Sequence, residues 1–449
     1  MPRPRYSSGG VALRVAIIGS GISGLGCARL LQRQGCRVTL FEANDYPGGH
    51  SHTVDVTVDG VTAPVDTGFL VYNDRTYPRL IALFEELGIR TAPSCMSFAV
   101  RDDGAALEWA GSNLPALFAQ TANLGRPAFW RMLRDILRFN RETTTMQRLD
   151  RVYAVTVGEY LDDGGYSAAF RDWYLLPMAA AIWSVPLAAV LEFPLPTFVR
   201  FCHRHGLLQI FDRPQWRTVV GGARTYVERI VGQLADVRLA TPVQQIRRYA
   251  NRVEVDTAAT SGEPFDQVVL ACHSDQSLAL LADASRSETD GLGSVRYQPN
   301  RVLLHTDIRL MPRRRRAWSA WNYLAASERG NLPVCVTYWI NKLQPLPFET
   351  PVLVTLNPSF EPRADTVIAE FAYSHPIVKA KAVTTQHQFA CLQGQRRTWF
   401  AGAWLGHGFH EDGLASAHLV AQGIAARSMT PVAERVAARW PRTAMTSAS

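Results

Sequence analysis

Residues 13–18, Leu-Arg-Val-Ala-Ile-Ile, form an almost unbroken apolar run, the pattern of a strand buried on both faces. A glycine-rich stretch follows, then apolar positions at helical spacing to about Gln34, where Gly35 stops the helix. A second apolar run at 37–42 completes a predicted βαβ unit. Residues 114–145 carry long helical patterns rich in Phe, Leu, Trp and Arg, interrupted near Gly125 and Pro127. The stretch 175–201 is apolar and punctuated by proline, which predicts short helices lining a cavity. Between 218 and 270 the pattern returns to a glycine turn, a helix at 225–234 and short strands at 237–239, 252–255 and 267–270. Strand-like runs at 301–307, 334–340 and 352–356 come next. The chain closes on a strand at 398–401, a glycine-rich loop and a helix at 414–427. No internal repeat is visible, and the ends, 1–12 and 428–449, are expected to be loose.

With 449 residues, 47% of them apolar and 19% charged, the chain is a folded protein large enough for two intertwined domains or one large one. Its net charge of +8 is mild for this length and does not call for a nucleic-acid partner. One basic run, Arg313 to Arg316 beside Trp318 and Trp321, reads either as a solvated loop or as a contact for anionic lipid headgroups or nucleic-acid phosphates. Seven cysteines without a C-x-x-C pair read as reduced thiols, which points to the cytoplasm. The apolar stretch near the start is broken by Gly19, Gly21, Gly24, Gly26 and Arg29, so it is not read as a leader, and no other stretch reaches the ~18 apolar residues of a membrane span. The expectation is a cytoplasmic protein, soluble or peripheral to the inner face of the membrane.

Gly19-Ser20-Gly21-Ile22-Ser23-Gly24 is G-x-G-x-x-G between a strand and a helix. Its first glycine allows the tight turn, its second lets a pyrophosphate approach the backbone, and its third lets helix and strand pack closely. Glu42 ends the second strand, where a carboxylate can accept ribose hydroxyls. The motif in this context predicts dinucleotide binding; the alternative is a glycine-rich turn in another α/β fold. Hydrolysis has no support, since G-x-S-x-G and acid-protease signatures are absent.

After Glu42 and Ala43 the chain runs Asn44-Asp45-Tyr46-Pro47-Gly48-Gly49-His50-Ser51-His52, a glycine pair soon after the ribose carboxylate. In this it resembles the flavin-containing amine oxidase superfamily, although most members carry Arg where this chain has His50. The resemblance continues through Asp66-Thr67-Gly68-Phe69, the turn at 219–223, Thr241-Pro242-Val243, Val269-Leu270-Ala271-Cys272 and Phe400-Ala401-Gly402-Ala403-Trp404. It implies non-covalent FAD and an α/β fold: a Rossmann-like FAD-binding domain of the amine oxidase and glutathione-reductase type, with an inserted α+β substrate domain. The FAD domain is expected at 13–90, 216–285 and 396–427, and the substrate domain at 91–215, largely helical, and 286–395, β-rich. The cofactor residues so implied are Gly19, Gly21, Ile22, Ser23, Gly24, Glu42, Ala43, Gly49, His50, Ser51, His52, Thr67, Gly68, Phe69, Val243, Ala271, Cys272, Gly402, Glu411, Asp412 and Gly413.

In the same resemblance the last helix aims its N-terminus at the flavin, with Gly413 as the nearest amide. His407 and His410 are then candidate catalytic proton carriers, or alternatively they cap the loop or pack beside the cofactor. Cys391 stands in no motif for a covalent flavin link. His50 and His52 lack neighbouring ligands at metal spacing, so no metal is expected. His203-Arg204-His205 reads as a solvated surface of the substrate domain.

The insertions are rich in aromatic residues, which suits a long apolar substrate better than a cationic amine. The segments 66–73, 129–136 and 408–413 resemble a bacterial branch of the superfamily found beside cyclopropane-fatty-acid synthases. That likeness implies oxidation, desaturation or isomerisation of a fatty-acyl or lipid substrate by hydride transfer to flavin, with a lipid-modifying methyltransferase as partner and a peripheral membrane contact. Two alternatives stand beside it: an amine oxidase producing peroxide, and a non-catalytic flavoprotein partner of a lipid methyltransferase.

Overall fold

Five short strands assemble in parallel: β1 (Arg14–Ile18), β2 (Arg37–Phe41), β3 (Asp236–Arg238), β4 (Gln267–Leu270) and β5 (Thr398–Phe400). Their order is β3-β2-β1-β4-β5, with every neighbouring pair parallel. In this computed structural model residues 12–148, 155–209, 212–325, 333–377 and 389–429 are described. Apart from one or two residues at their inner edges, the ends expected to be loose lie outside the described residues.

The central strand β1 explains the opening apolar run. Ile17 pairs with Leu40 on one side and Val269 on the other, and Val15, Ala16 and Ile17 are wholly buried. A helix, α1 (Ile22–Arg33), crosses from β1 to β2 and buries Leu25, Cys27, Ala28 and Leu31. Gly35, at φ +91°, turns the chain after it. The last helix, α2 (His410–Met429), packs on α1, where the missing side chain of Gly26 lets Leu414 and Ala417 approach. A Cβ built on Gly26 would lie 3.0 Å from Leu414 and 3.1 Å from Ala417. Between β3 and β4 the chain forms a three-stranded antiparallel sheet, Val243–Arg248, Val253–Thr257 and Glu263–Phe265.

By packing, the chain divides into two units. One contains residues 1–47, 230–294 and 383–449, and the other 48–229 and 295–382. The expected partition differs from this division at 48–90 and 216–229, and at 286–294 and 389–395, which pack in the first unit. The first two stretches pack inside the second unit: the hairpin Thr53–Val58/Val61–Asp66 is bonded through Asp66 to Ala223 and Gln344.

The second unit is built on a seven-stranded sheet in the order Val367–Ile377, Arg296–His305, Leu353–Leu356, Cys335–Trp339, Trp321–Leu324, Phe98–Asp102, Leu107–Ala110. Only the pairing of Trp321–Leu324 with Phe98–Asp102 is parallel. Its helices include Pro127–Arg148, Leu176–Trp183, Leu187–Leu191 and Leu195–Arg204, so the proline-punctuated stretch is indeed a set of short helices. They enclose an aromatic core in which Phe129, Phe139, Phe170, Phe193 and Phe198 are almost wholly buried.

Candidate functional site

In the first unit the glycine motif has three distinct geometries. Gly19, at φ +102°, donates its N–H to the Phe41 carbonyl at 2.8 Å, and a Cβ there would meet the Ala271 carbonyl oxygen at 3.0 Å. Gly24 packs so closely that its Cβ would lie 1.9 Å from the Gly19 carbonyl oxygen. Gly21 is the opposite case: it is the N-cap of α1, and its Cβ would meet nothing within 4 Å. Having no side chain, it offers no acceptor to the first N–H groups of α1, in the turn that holds Ile22 and Ser23. An N-terminal turn beside open space, closed by two packing glycines, is the form that accepts a phosphate oxygen.

Glu42 lies just beyond β2, buried. One carboxylate oxygen accepts from the Ser20 N–H at 2.9 Å and the Ser20 hydroxyl at 2.5 Å. The other accepts from the Asn44 N–H at 2.9 Å and its amide at 3.1 Å. Four donors fill the carboxylate's roughly four acceptor sites, so a ribose hydroxyl would have to displace the Ser20 hydroxyl or the Asn44 amide. The Glu42 carbonyl accepts from the Thr241 N–H at 2.8 Å, bringing the start of the Val243 strand beside it, while Ala43 is exposed.

On the other side of β1, Ala271 is held by its N–H to the Ile18 carbonyl at 2.8 Å, and its methyl packs where Gly24 has no side chain. The neighbouring Cys272 carbonyl accepts from the Trp404 indole at 3.1 Å, and burial pushes the Cys272 thiol up to about 11. Gly402 must be glycine, because its Cβ would lie 2.1 Å from the Trp404 indole nitrogen. Its N–H donates to the Ser416 hydroxyl at 3.0 Å.

The final helix begins at His410, four residues earlier than the pattern predicts. Asp412 explains this: its carboxylate accepts the N–H groups of His407 and Phe409, both at 3.0 Å, and so caps the helix start. Glu411 and Asp412 therefore occupy the first turn, and Gly413 lies against α1, where its Cβ would be 2.7 Å from the Ser23 hydroxyl. The N-termini of α1 and α2 thus meet. Burial pulls the His410 imidazole down to about 3, so the ring is neutral at pH 7 and a weak acceptor of a further proton, which counts against the proton-carrier expectation. His407 is half-buried in the capped loop.

In the second unit, Gly48 and Gly49 take φ +112° and +57°. Beyond them His50, Ser51 and His52 pair with Thr67, Gly68 and Phe69, extending the hairpin: the His50 carbonyl accepts from Phe69 at 2.8 Å and the His52 carbonyl from Thr67 at 2.9 Å. Gly68 is needed there, since its Cβ would lie 2.2 Å from the His50 carbonyl oxygen. The Tyr373 hydroxyl joins Thr67 Oγ1 at 2.7 Å and His52 Nδ1 at 3.0 Å. The His50 ring sits 5.0 Å from Tyr373 and 5.3 Å from His375, so this departure from the usual arginine is taken up by an aromatic cluster. Ser51 is bonded to the hydroxyl of the buried Tyr226.

Asp66 is buried and turned to the scaffold. It accepts from Thr53 Oγ1 at 2.5 Å, the Ala223 N–H at 2.8 Å and the Gln344 amide at 2.6 Å, while desolvation raises its carboxyl to about 7. The Gly221-Gly222 turn has no side chain to clash with it; a Cβ on Gly222 would be 2.4 Å from Thr53.

Sequence reasoning missed Tyr373, Tyr226 and Gln344. The alternation of Phe371, Tyr373 and His375 with Glu370, Ala372 and Ser374 was the signal for that strand. His203 corrects the solvated reading: it is buried in the last turn of Leu195–Arg204, and burial lowers its pKa. In the basic run, Glu108 accepts the N–H groups of Arg313 and Arg314 and the Arg314 guanidinium, so those two arginines are anchored instead of free in a loop. Among the described residues no group of three or more His, Cys, Asp or Glu is arranged to hold a metal ion, and no helix is long and apolar enough to cross a membrane.

Parallel sheet, glycine turn and converging helix N-termini define a dinucleotide-binding α/β protein. Residues 22–303 match the family described as flavin containing amine oxidoreductase, and the chain belongs to that family, whose cofactor is FAD. It is 28% identical over 267 residues to the flavin-containing amine oxidase A of Sus scrofa, covering 56% of this chain and 48% of that protein. The chain thus spans about half the length of that curated relative. In fold it is similar to cyclohexylamine oxidase from Brevibacterium oxydans, with TM-score 0.63, 17% identity and coverage of 94% and 100%. It is similarly close to a CLA-producing fatty acid isomerase from P. acnes, with TM-score 0.63, 17% identity and coverage of 91% and 98%. The residues present fit the cofactor: an uncapped α1 N-terminus faces open space at Gly21, where an anionic pyrophosphate finds N–H donors.

Proposed function

We propose that this protein is an FAD-dependent oxidoreductase that oxidises, desaturates or isomerises an apolar, fatty-acyl or lipid substrate. When bound, FAD supplies a hydride acceptor. The chain's residues do the rest. The N–H groups at the start of α1 bind the pyrophosphate, and Glu42 with Ser20 and Asn44 forms the polar wall for the ribose. The N-terminus of α2, capped through Asp412, favours negative charge in front of its first turn, although the Gly413 N–H itself donates to the Phe409 carbonyl at 3.1 Å and is not the free amide expected. Neutral His410 holds its proton on one ring nitrogen and can orient a neighbour by hydrogen bonding.

The observation that carries the cofactor reading is the uncapped N-terminus at Gly21, and the family match supports the redox chemistry. The substrate class is supported by residues 173–191, which carry no charge and bury Leu175, Met178, Ala179, Ala180 and Trp183. The proposal includes a lipid methyltransferase as protein partner and a cytoplasmic position peripheral to the membrane. The test is anaerobic incubation of the purified yellow protein with extracted membrane lipids, following the visible flavin band and the acyl chains by mass spectrometry. Bleaching coupled to a changed acyl chain is expected; bleaching with unchanged chains removes the lipid substrate. The likeness to the Sus scrofa amine oxidase favours a second reading, peroxide-forming amine oxidation, which turnover on an amine panel would establish. A flavoprotein that turns over neither class yet co-purifies with a methyltransferase would be its non-catalytic partner.

A further inference from the structure

Among the described residues ten large apolar side chains are exposed, and four of them fall between 114 and 137: Leu114 at 71%, Leu124 at 52%, Trp130 at 49% and Leu137 at 57%. The helix Pro127–Arg148 turns Phe129, Met132 and Phe139 wholly inward, so its outer stripe is Trp130, Arg131, Arg134, Leu137 and Arg141. Its two carboxylates are kept off that stripe. Asp135 is buried, and Glu142 is taken up by Arg138 and by the hydroxyls of Tyr160 and Tyr166. Arg134 comes within 3.6 Å of Asp135 yet stays 74% exposed.

The stripe is continuous with the basic loop. Trp130 lies 5.7 Å from the Phe118 ring, and the short helix Leu114–Leu117 packs through Ala116 on Ala317. There Arg315, stacked over Trp318 at 5.1 Å, and Arg316 are exposed. Across the contributing segments, 109–141 and 308–325, the sole carboxylate is Asp135, which is buried.

We propose that this face of the second unit docks on an anionic lipid surface. Trp130, Leu137, Leu114 and Leu124 enter the boundary between headgroups and acyl chains, and Arg131, Arg134, Arg315 and Arg316 meet lipid phosphates. An ordinary solvated helix face mixes both signs of charge and buries its tryptophan; this face does neither. Nucleic acid would satisfy the arginines but offers no apolar phase to the leucines. The inference deepens the peripheral position proposed above and rests on it, while vesicle binding and flavin reduction can each fail without the other.

The test is sedimentation of the full-length, FAD-loaded protein with vesicles of phosphatidylcholine, alone or mixed with phosphatidylglycerol, with duplex DNA as competitor. Binding is expected to the anionic vesicles and to weaken with salt. R131E/R134E and R315E/R316E are each expected to lower the partition coefficient about fivefold per reversed charge, and W130S/L137S about tenfold or more. Flavin content and thermal melting identify any variant that misfolds, and the two arginine pairs lie on separate elements, so either alone suffices. No binding to anionic vesicles, equal binding to pure phosphatidylcholine, unchanged binding by folded variants, or displacement by DNA overturns the proposal.

Discussion

Two glycines of one motif should respond in opposite ways to substitution. In Gly24→Ala the new Cβ starts 1.9 Å from the Gly19 carbonyl oxygen, against a floor of 3.0 Å for real Cβ contacts, so the turn must open by about 1 Å. That turn is pinned by Gly19 to Phe41 and by Ala271 to Ile18, each at 2.8 Å. Overpacking of this kind costs about 1–3 kcal/mol, and the rigid backbone on both sides puts this case at the upper end. In Gly21→Ser nothing lies within 4 Å of the new Cβ, and φ −61°, ψ 176° suits any residue. The serine hydroxyl would cap α1 and leave the apoprotein as stable as before or slightly more so. It would also occupy the place of a phosphate oxygen, lowering FAD affinity by about 1–3 kcal/mol, or roughly five- to 150-fold. Thermal melting of the deflavinated proteins and titration with FAD measure the two quantities separately. A Gly21→Ser protein that binds FAD as tightly as the parent would refute the pyrophosphate position. A Gly24→Ala apoprotein that melts unchanged would refute the packing argument.

Other consequences are equally open to measurement. Asp66, raised to about 7 in the folded state against about 3.9 unfolded, contributes stability that is full below pH ~4 and lost as pH rises through 7, up to about 4 kcal/mol. Urea denaturation should therefore show Asp66→Asn gaining on the parent between pH 4 and 7, with no further change above; a flat difference would contradict the buried-carboxyl reading. Arg248, fully buried, holds Glu288 through two bonds at 2.5 and 3.0 Å and Asp283 at 2.7 Å. Arg248→Met should cost about 3–5 kcal/mol in denaturant unfolding by stranding the buried Glu288, while Asp283 keeps Arg396, and a loss below 1 kcal/mol would argue against it. Gly402→Ala should displace the Trp404 indole from the Cys272 carbonyl at a cost of about 1–3 kcal/mol, and adding Trp404→Phe should recover part of it. Strict additivity in that cycle would show that the two positions do not collide.

What was legible in the chain was local. The β1-α1-β2 unit was visible because a doubly buried parallel strand needs an unbroken apolar run and because each glycine of the turn answers to a steric demand from its near neighbours. The helix boundaries at Gly35 and Pro127 were readable for the same reason. The Asp59-Gly60 turn, with φ +53° and +75°, is a two-residue hairpin signal between apolar residues, yet the hairpin it joins was not anticipated. Contacts between distant segments were out of reach. Nothing near Asp66 says that Ala223 and Gln344 will surround it, and nothing near Glu42 says that Ser20 will fill half of its acceptors. The start of α2 was misplaced because Gly413 reads as a helix breaker until Ser23 is seen to leave it no room for a side chain.

The parallel sheet has its central strand at residue 14 and its edge strand at residue 398. A ribosome adding about 5–20 residues per second needs roughly 20–80 seconds to travel between them. For roughly the first two-thirds of that interval, until β4 is made at 267–270, the nascent β1 has only its partner β2 and its other edge stays open. Its hydrogen-bonding edge is a template for any passing strand. Recombinant yield should accordingly respond more to chaperone supply and to growth temperature during translation than to the stability of the finished protein.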